Sequence, residues 1–295
     1  MKCRWCGQKA VIEIPHSRLS LCKGCFFEYF GKQVEKAIDQ FGMFDRKSRI
    51  LVAVSGGKDS LSLWDILIRK GYNAVGLHIN LKIGEYSEKS LEATKNFAHA
   101  NGLELIVADA PEEGVNHVSE RLRRNPCSVC GIVKRYIFNK VAVENGFDVL
   151  ATGHNLDDEA SRLMGNILHW QEDMLRRQSP LLEATHPKLI KKVRPLFRLT
   201  EREIAAYAFM RGIKYIIDEC PLSEGATTLI YKEILNNLES RMPGTKHAFY
   251  FGFLRRKDNE RGGEVLKECS SCGYPTISEL CSYCSIMKRV AILKG

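Results

Sequence analysis

The sequence predicts an α/β protein built on a doubly wound parallel sheet, flanked at each end by a small four-cysteine module. Three observations carry this expectation. From Arg49 to about Asp218, short apolar runs alternate with amphipathic stretches, the pattern of parallel strands joined by crossover helices. A glycine turn, Ser55-Gly56-Gly57-Lys58-Asp59-Ser60, follows the apolar run Ile50 to Val54 and opens the amphipathic run Leu61, Leu63, Trp64, Leu67, Ile68. Paired Cys-x-x-Cys motifs stand near both termini.

With 295 residues, the chain can bury one core of about 150 to 200 residues and carry small appendages. No run of 18 apolar residues occurs, and the start Met1-Lys2-Cys3-Arg4-Trp5-Cys6 lacks the apolar core of a signal peptide, so a cytoplasmic protein without membrane association is expected. Lys and Arg total 44 against 35 Asp and Glu, a formal charge of +9. That excess suits a polyanionic partner and equally serves solubility. In a reducing compartment, eleven cysteines of which ten form Cys-x-x-Cys pairs point to metals rather than disulfides.

Residues 1–27 hold Cys3-x-x-Cys6 and Cys22-x-x-Cys25, four thiolates at the spacing of a structural zinc site. So short a segment buries no core of its own, and metal binding would supply its folding free energy. Phe26, Phe27, Phe30, Val34, Ala37, Ile38 and Phe41 recur at helical spacing, which makes residues 28–48 a linker helix ending near Gly42. Residues 49–245 are expected to form the main α/β domain, with strands at Ile50 to Ser55, Ala74 to Ile79, Leu103 to Val107, Val149 to Thr152 and Ile213 to Ile217. Helices are expected at Ser90 to Ala100, Ser128 to Asn145, Ala160 to Arg177, Thr200 to Arg211 and Leu229 to Leu238. Residues 246–295 form a tail and a second zinc module, Cys269-x-x-Cys272 with Cys281-x-x-Cys284.

In an open α/β sheet the ligand lies beyond the carboxyl ends of the strands. Ser55, His78-Ile79 and Gly153-His154 fall at such ends. Gly56 and Gly57 let successive amides point at one anion at a helix N-terminus, so a phosphate chain is the natural occupant. The spacing is neither the Walker loop nor the dinucleotide fingerprint. Asn155 can cap the helix whose first turn holds Asp157, Asp158 and Glu159, and capping alone explains some of these carboxylates. Cys127 and Cys130 open a helix, where thiolate is favoured, and Cys220 follows the last expected strand. Two readings of these three thiols stay open: a 4Fe-4S cluster with one open iron, or a persulfide relay through Cys127 and Cys130. Lys134 lies one helical turn beyond Cys130 and can face the same crevice. Basic residues at Arg121, Arg123 and Arg124, at Arg176 and Arg177, and at Lys188, Lys191, Lys192 and Arg194 suit a phosphate-binding rim.

Ser-Gly-Gly-x-Asp-Ser resembles the PP-loop of ATP pyrophosphatases. Taken with Cys127-x-x-Cys130, Lys134, Gly153-His154-Asn155-x-Asp157-Asp158, Cys220 and both zinc modules, the chain resembles, over nearly its whole length, the TtuA branch of tRNA 2-thiolation enzymes, which includes the wobble-uridine thiolases. The resemblance implies ATP and Mg2+ binding by Ala53, Ser55, Gly56, Gly57, Lys58, Asp59 and Ser60, with His78, Ile79, Lys134 and Gly153 also at the nucleotide. It implies Asp59, Lys134 and Asp158 as catalytic residues, a 4Fe-4S cluster on Cys127, Cys130 and Cys220, and two Zn2+. The implied partners are tRNA, a ubiquitin-like thiocarboxylated sulfur carrier and a second copy of the chain. The implied reaction adenylates the C2 oxygen of 5-methyluridine 54 and replaces it with sulfur; uridine 34 is the alternative target. The scarcity of Gln (residues 8, 33, 40, 171 and 178) suits a thermophile. Two other classes stay open: an ATP-dependent amide ligase using ammonia, which has no use for three crevice cysteines, and a zinc-bearing RNA-binding protein without catalysis.

Overall fold

The computed structural model describes residues 1–112, 114–218, 220–223, 227–257 and 266–292. The hairpin β1 (Ile12–Ile14) and β2 (Leu19–Leu21) leads into α1 (Lys23–Phe41), followed by β3 (Arg49–Ala53), α2 (Lys58–Arg69), β4 (Asn73–Asn80), α3 (Gly84–Asn101) and β5 (Leu105–Asp109). Next come α4 (Gly114–Leu122), α5 (Pro126–Glu144), β6 (Val149–Thr152), α6 (Leu156–Leu168), α7 (Glu172–Arg177), β7 (Leu181–Leu182), β8 (Lys191–Val193) and α8 (Glu201–Arg211). The chain closes with α9 (Thr227–Arg241), α10 (Thr245–Lys257), β9 (Lys267–Glu268), β10 (Pro275–Thr276) and α11 (Ser282–Ile292).

The main sheet has the order β5-β4-β3-β6-β8-β7, parallel except for the edge strand β7. Ile50, Leu51 and Val52 are completely buried, because helices cover both faces; hence the unbroken apolar run instead of an alternating one. Gly76 makes room in β4 for Trp64 of α2: a Cβ there would stand 2.5 Å from the indole ring. The same indole Nε1 donates to the Ala74 carbonyl at 3.0 Å, so strand and helix are locked by apolar contact and by a satisfied polar atom together. From β3 the chain winds outward through β4 and β5, then crosses to β6 on the other side. The winding reverses between β3 and β6, and that switch point is where such sheets open a crevice.

Three sequence expectations are corrected. Ile213 to Ile217 is not a strand: β8 pairs with β6 and takes that place in the sheet, and Ile217 is 84 % exposed. The segment instead passes over the glycine turn, where the Ile216 amide donates to the Gly56 carbonyl at 2.9 Å. The helix expected from Ala160 to Arg177 breaks into α6 and α7 at Trp170, whose φ of +47° no α-helix can contain. The strand expected at Leu103 to Val107 is shifted, and runs from Leu105 to Asp109.

Both terminal modules are packed into the body. α1 buries Phe26, Phe30, Val34 and Ala37 completely and stacks Phe30 on Tyr207 of α8 at 3.9 Å between ring centroids. At the other end α11 places Ile286 and Val290 against Val129, Val133 and Ile137 of α5, and Tyr283 stacks on Tyr136 at 3.9 Å. α10 is anchored by Tyr250, whose hydroxyl donates to buried Glu159 at 2.9 Å. Phe30→Ala removes a completely buried ring from the joint between α1 and α8, and should cost about 3 to 5 kcal/mol. A urea titration should show the midpoint fall with the slope unchanged.

Candidate active site

The glycine turn leaves β3 with Gly56 at φ +74° and no space for a side chain, since a Cβ would meet the Ser90 carbonyl oxygen of α3 at 2.5 Å. On the other flank, a Cβ on Gly153 would lie 2.9 Å from the Ser60 amide nitrogen. The turn is thus gripped between α3 and the end of β6, backbone against backbone. Ser60 closes it from inside: its Oγ accepts from the Ser55 amide at 3.1 Å and donates to the Gly57 carbonyl at 3.0 Å. Gly57 is the N-cap of α2, and among the described residues no side chain caps it. The first amides of α2 therefore remain open to an anion, the arrangement a phosphate chain requires.

Around this cradle runs a closed ring of polar contacts. Lys58 Nζ lies 3.2 Å from Asp59 Oδ2 and donates to Glu201 Oε1 at 2.6 Å. Lys232 of α9 donates to Glu201 Oε2 at 3.0 Å and pairs with Asp158 Oδ1 at 2.8 Å. Asn155 completes the circuit, its amide nitrogen donating to Asp158 Oδ2 at 3.1 Å and its Nδ2 to Asp59 Oδ1 at 3.2 Å. Burial opposes the charge on Asp158, yet Lys232 outweighs it and holds the carboxyl below its ordinary range. Burial dominates at Asp59 and pushes its carboxyl up in spite of Lys58. Lys58 is pushed up by Asp59 and Glu201, although burial works against its charge. Two carboxylates near one phosphate cradle thus differ in their ease of protonation.

His78 is buried, with Nδ1 3.0 Å from the Val54 carbonyl. Burial brings its pKa down to about 4, so it is a neutral ring whose Nδ1–H braces the strand end. Ile79 is likewise buried and Ala53 half-buried, both at the carboxyl ends of strands flanking the turn. The expected cap holds: Asn155 and Asp158 form a reciprocal capping box on α6. Glu159 does more than favour the helix dipole; completely buried, it accepts from Arg194 at 2.7 Å and lies 3.4 Å from Arg162. Asp157 pairs with Lys246 of α10 and accepts from the Glu201 amide at 2.9 Å.

The three remaining cysteines lie on the same side of the molecule. Cys127 Sγ is 3.2 Å from the Leu222 carbonyl; Cys130 and Cys220 pack against one apolar cluster. Burial raises the Cys130 thiol, and Lys134, one turn on, partly offsets this through its charge and a hydrogen bond. Tyr86 is pushed up by burial and by the charges of Cys220 and Cys130; it stands one turn before Ser90, which touches the glycine turn. Helix α3 therefore spans the distance from the cysteines to the cradle. In the terminal modules the sulfurs draw closer, Cys6 to Cys22 at 3.5 Å and Cys272 to Cys281 at 3.7 Å. A tetrahedral zinc with Zn–S near 2.3 Å needs about 3.8 Å, and all four sulfurs of each quartet lie within 4.8 Å of one another. His16, Glu239 and His247 also cluster, but the two imidazoles stack face to face at 4.0 Å and Glu239 accepts from the Gly244 and Lys246 amides; this set is a joint between β1–β2 and α10.

Glu201 and Lys232 were not singled out from the sequence. Glu201 is hidden in the acidic first turn of α8, where a dipole role suffices to explain it, and Lys232 is one lysine on an amphipathic helix. Only the approach of α8 and α9 to α2 reveals them.

A PP-loop domain model matches residues 29–227, and the N-terminal LIM domain model of 2-thiouridine synthetase TtuA matches residues 2–27. The chain is 50% identical to the tRNA-5-methyluridine(54) 2-sulfurtransferase of Thermus thermophilus, over 98% of this chain and 92% of the relative. The chain belongs to the PP-loop tRNA 2-sulfurtransferase family. The Thermotoga maritima member of the family is 47% identical, over 98% of this chain and 97% of the relative. The solved structure of the U34-tRNA thiolase NcsA from Methanococcus maripaludis with its 4Fe-4S cluster superposes with a TM-score of 0.87 at 30% identity, covering 98% of this chain and 96% of that one. The sulfurtransferase fold is thus matched along the whole chain, terminal modules included. Lys232 lies beyond the segment that the PP-loop model matches.

Removing the Lys232 charge leaves Asp158 buried without its cation, so its pKa should rise. In Lys232→Met a carboxyl-carbon NMR titration should show Asp158 protonating at higher pH than in the parent, whereas Lys232→Arg should stay close to it.

Proposed function

We propose that this chain is an ATP-dependent tRNA sulfurtransferase that adenylates the C2 oxygen of 5-methyluridine 54 and exchanges that oxygen for sulfur. The observation that supports this reading is helix α3, which reaches from an uncapped glycine-turn helix suited to phosphate to Cys130 and Cys220, two of the three cysteines with no place in the terminal quartets. Identity of 50% to the 5-methyluridine(54) enzyme from Thermus thermophilus, against 30% to the U34 thiolase, favours position 54 over the wobble uridine.

The cradle fits the polyphosphate of ATP, because Gly56 and Gly153 permit close backbone approach and the α2 amides are unclaimed. Those amides and Lys58 bind the leaving pyrophosphate, and Asp59 would hold the accompanying Mg2+. Asp158, kept ionised by Lys232, accepts the N3 proton of the uracil ring, making O2 the nucleophile. The O2–Pα bond forms as the bond from Pα to the pyrophosphate oxygen breaks. Lys134 compensates negative charge beside Cys130. A hydrosulfide ion then adds at C2, the C2–O bond breaks with AMP as leaving group, and the proton carried by the sulfur passes to N3. The thiolate donor set fits a 4Fe-4S cluster on Cys127, Cys130 and Cys220, which when bound supplies a Lewis-acidic iron favouring deprotonated sulfur. The close-packed sulfurs of Cys3, Cys6, Cys22 and Cys25, and of Cys269, Cys272, Cys281 and Cys284, fit one zinc each. The resemblance to the TtuA branch supplies the rest of the reading: a ubiquitin-like carrier with a C-terminal thiocarboxylate as donor, a homodimer, and action in the cytoplasm.

Anaerobically prepared protein should contain two zinc and four iron atoms per chain by elemental analysis; a zinc content of zero or one would contradict the terminal assignment. Asp59→Ala should abolish RNA-dependent pyrophosphate release, while Cys127→Ala should keep pyrophosphate release and lose thiolation. Mass spectrometry of the tRNA nucleosides decides the target, with 2-thio-5-methyluridine expected and thiolated uridine 34 the overturning product.

A further inference from the structure

Four cations converge around β8: Lys192 on the strand, Arg194 just after it, Arg135 on α5 and Arg162 on α6. Lys192 lies on β8 in register with Leu150 of β6. Its neighbour Val193 is completely buried in the core between the sheet and α2, so by strand alternation Lys192 is on the opposite face, the face covered by α5. Arg135 projects from α5 and folds its guanidinium back over Gly131, 3.1 Å from where a Cβ would stand, towards the helix start that carries Cys127 and Cys130. Arg162 of α6 and Arg194 after β8 complete the group and share the single buried carboxylate of Glu159.

The charges do not balance. Lys188 of the same basic stretch pairs with Glu268 at 3.3 Å and Lys191 donates to the Gly42 carbonyl at 3.0 Å. Neither Lys192 nor Arg135 has a carboxylate partner among the described residues. Burial, and then Arg135 and Arg194, press the Lys192 amine down to about 8; at Arg135 burial weighs most against the charge and Arg162 adds to the positive field, with Tyr274 and Cys130 opposing them. Uncompensated like charges drawn together at a crevice cost stability unless an anion joins them. The glycine turn already provides amides and Lys58 for the nucleotide, two strands away across the sheet, which leaves this cluster to a second phosphate.

We propose that Lys192 and Arg135, backed by Arg162 and Arg194, form a binding subsite for a backbone phosphate of the RNA strand that carries the target base. The proposal rests on the tRNA-thiolation reading. Chemistry on a base in folded RNA requires the nucleotide to be drawn out of its stack, and backbone contacts fix the strand while it is held out. A cationic cluster between the cysteine helix and Asp158 is suited to that task.

The test is tRNA binding across a salt series by Lys192→Gln and Arg135→Gln in the metal-loaded protein, beside ATP binding and thiolation. Each variant should bind tRNA roughly tenfold more weakly, with a salt slope lower by about 1 and ATP affinity unchanged. Lys192→Arg should retain parental affinity, which separates a charge contact from a packing defect. Parental tRNA affinity and salt slope in both Gln variants of an enzyme that still thiolates tRNA would overturn the subsite and leave the function intact. Weakened ATP binding with unchanged tRNA binding would assign the cluster to the nucleotide and overturn the proposal. Lack of tRNA binding by the parent protein would overturn the subsite and the functional reading together.

Discussion

The constraint on which the rest of the structure depends is the absence of side chains where the glycine turn passes between α3 and β6. Gly56 lies against the Ser90 carbonyl and Gly153 against the start of α2, so three elements meet at backbone distance. Any Cβ at either glycine would part them. The same closeness leaves the first amides of α2 facing one small volume, since helix geometry forbids them internal partners. A site for phosphate is therefore a direct result of how tightly the sheet packs at its switch point.

Charge is then arranged around that volume in two separate sets. Near the turn, Asp59, Lys58, Glu201, Lys232 and Asp158 form an almost neutral ring, in which each ion is held by a partner of opposite sign. Farther along the sheet, Arg162 and Arg194 pack on Glu159, while Lys192 and Arg135 have no carboxylate partner among the described residues. The first arrangement suits groups that must keep defined protonation states; the second suits a site that awaits an anion. Buried Glu159 also ties α6 to α10 through Tyr250, so the charged floor of the crevice and the packing of the C-terminal helices share one carboxylate.

The terminal modules support the central domain as well as bringing together their cysteine quartets. α1 continues from the N-terminal quartet straight into the main core, and Tyr29 donates to Glu203 of α8 at 2.9 Å. At the other end, the Tyr274 hydroxyl of the C-terminal module accepts from Asn139 of α5 at 2.6 Å, on the helix that presents Cys127, Cys130 and Lys134. Unfolding of that module would therefore disturb the support of the cysteine helix.

Local patterns in the sequence sufficed for the parallel character of the sheet, the glycine turn, the Asn155 cap and the two cysteine quartets, because each of these is written in short motifs or regular spacings along the chain. Spacing could determine that Cys127 and Cys130 open a helix, but it left their partner and chemistry open. What only the tertiary structure decided are long-range matters. Ile213 to Ile217 has the composition of a strand and is excluded because β8, a polar and short segment, wins the place beside β6 through backbone pairing. Glu201 and Lys232 look like ordinary helix-surface charges until α8 and α9 bring them to the cradle, and Glu159 looks like a helix-start acid until Arg194 and Tyr250 bury it. Periodicity records which side of an element is apolar; it does not record which other element will face it, and an ion pair is made only by that meeting.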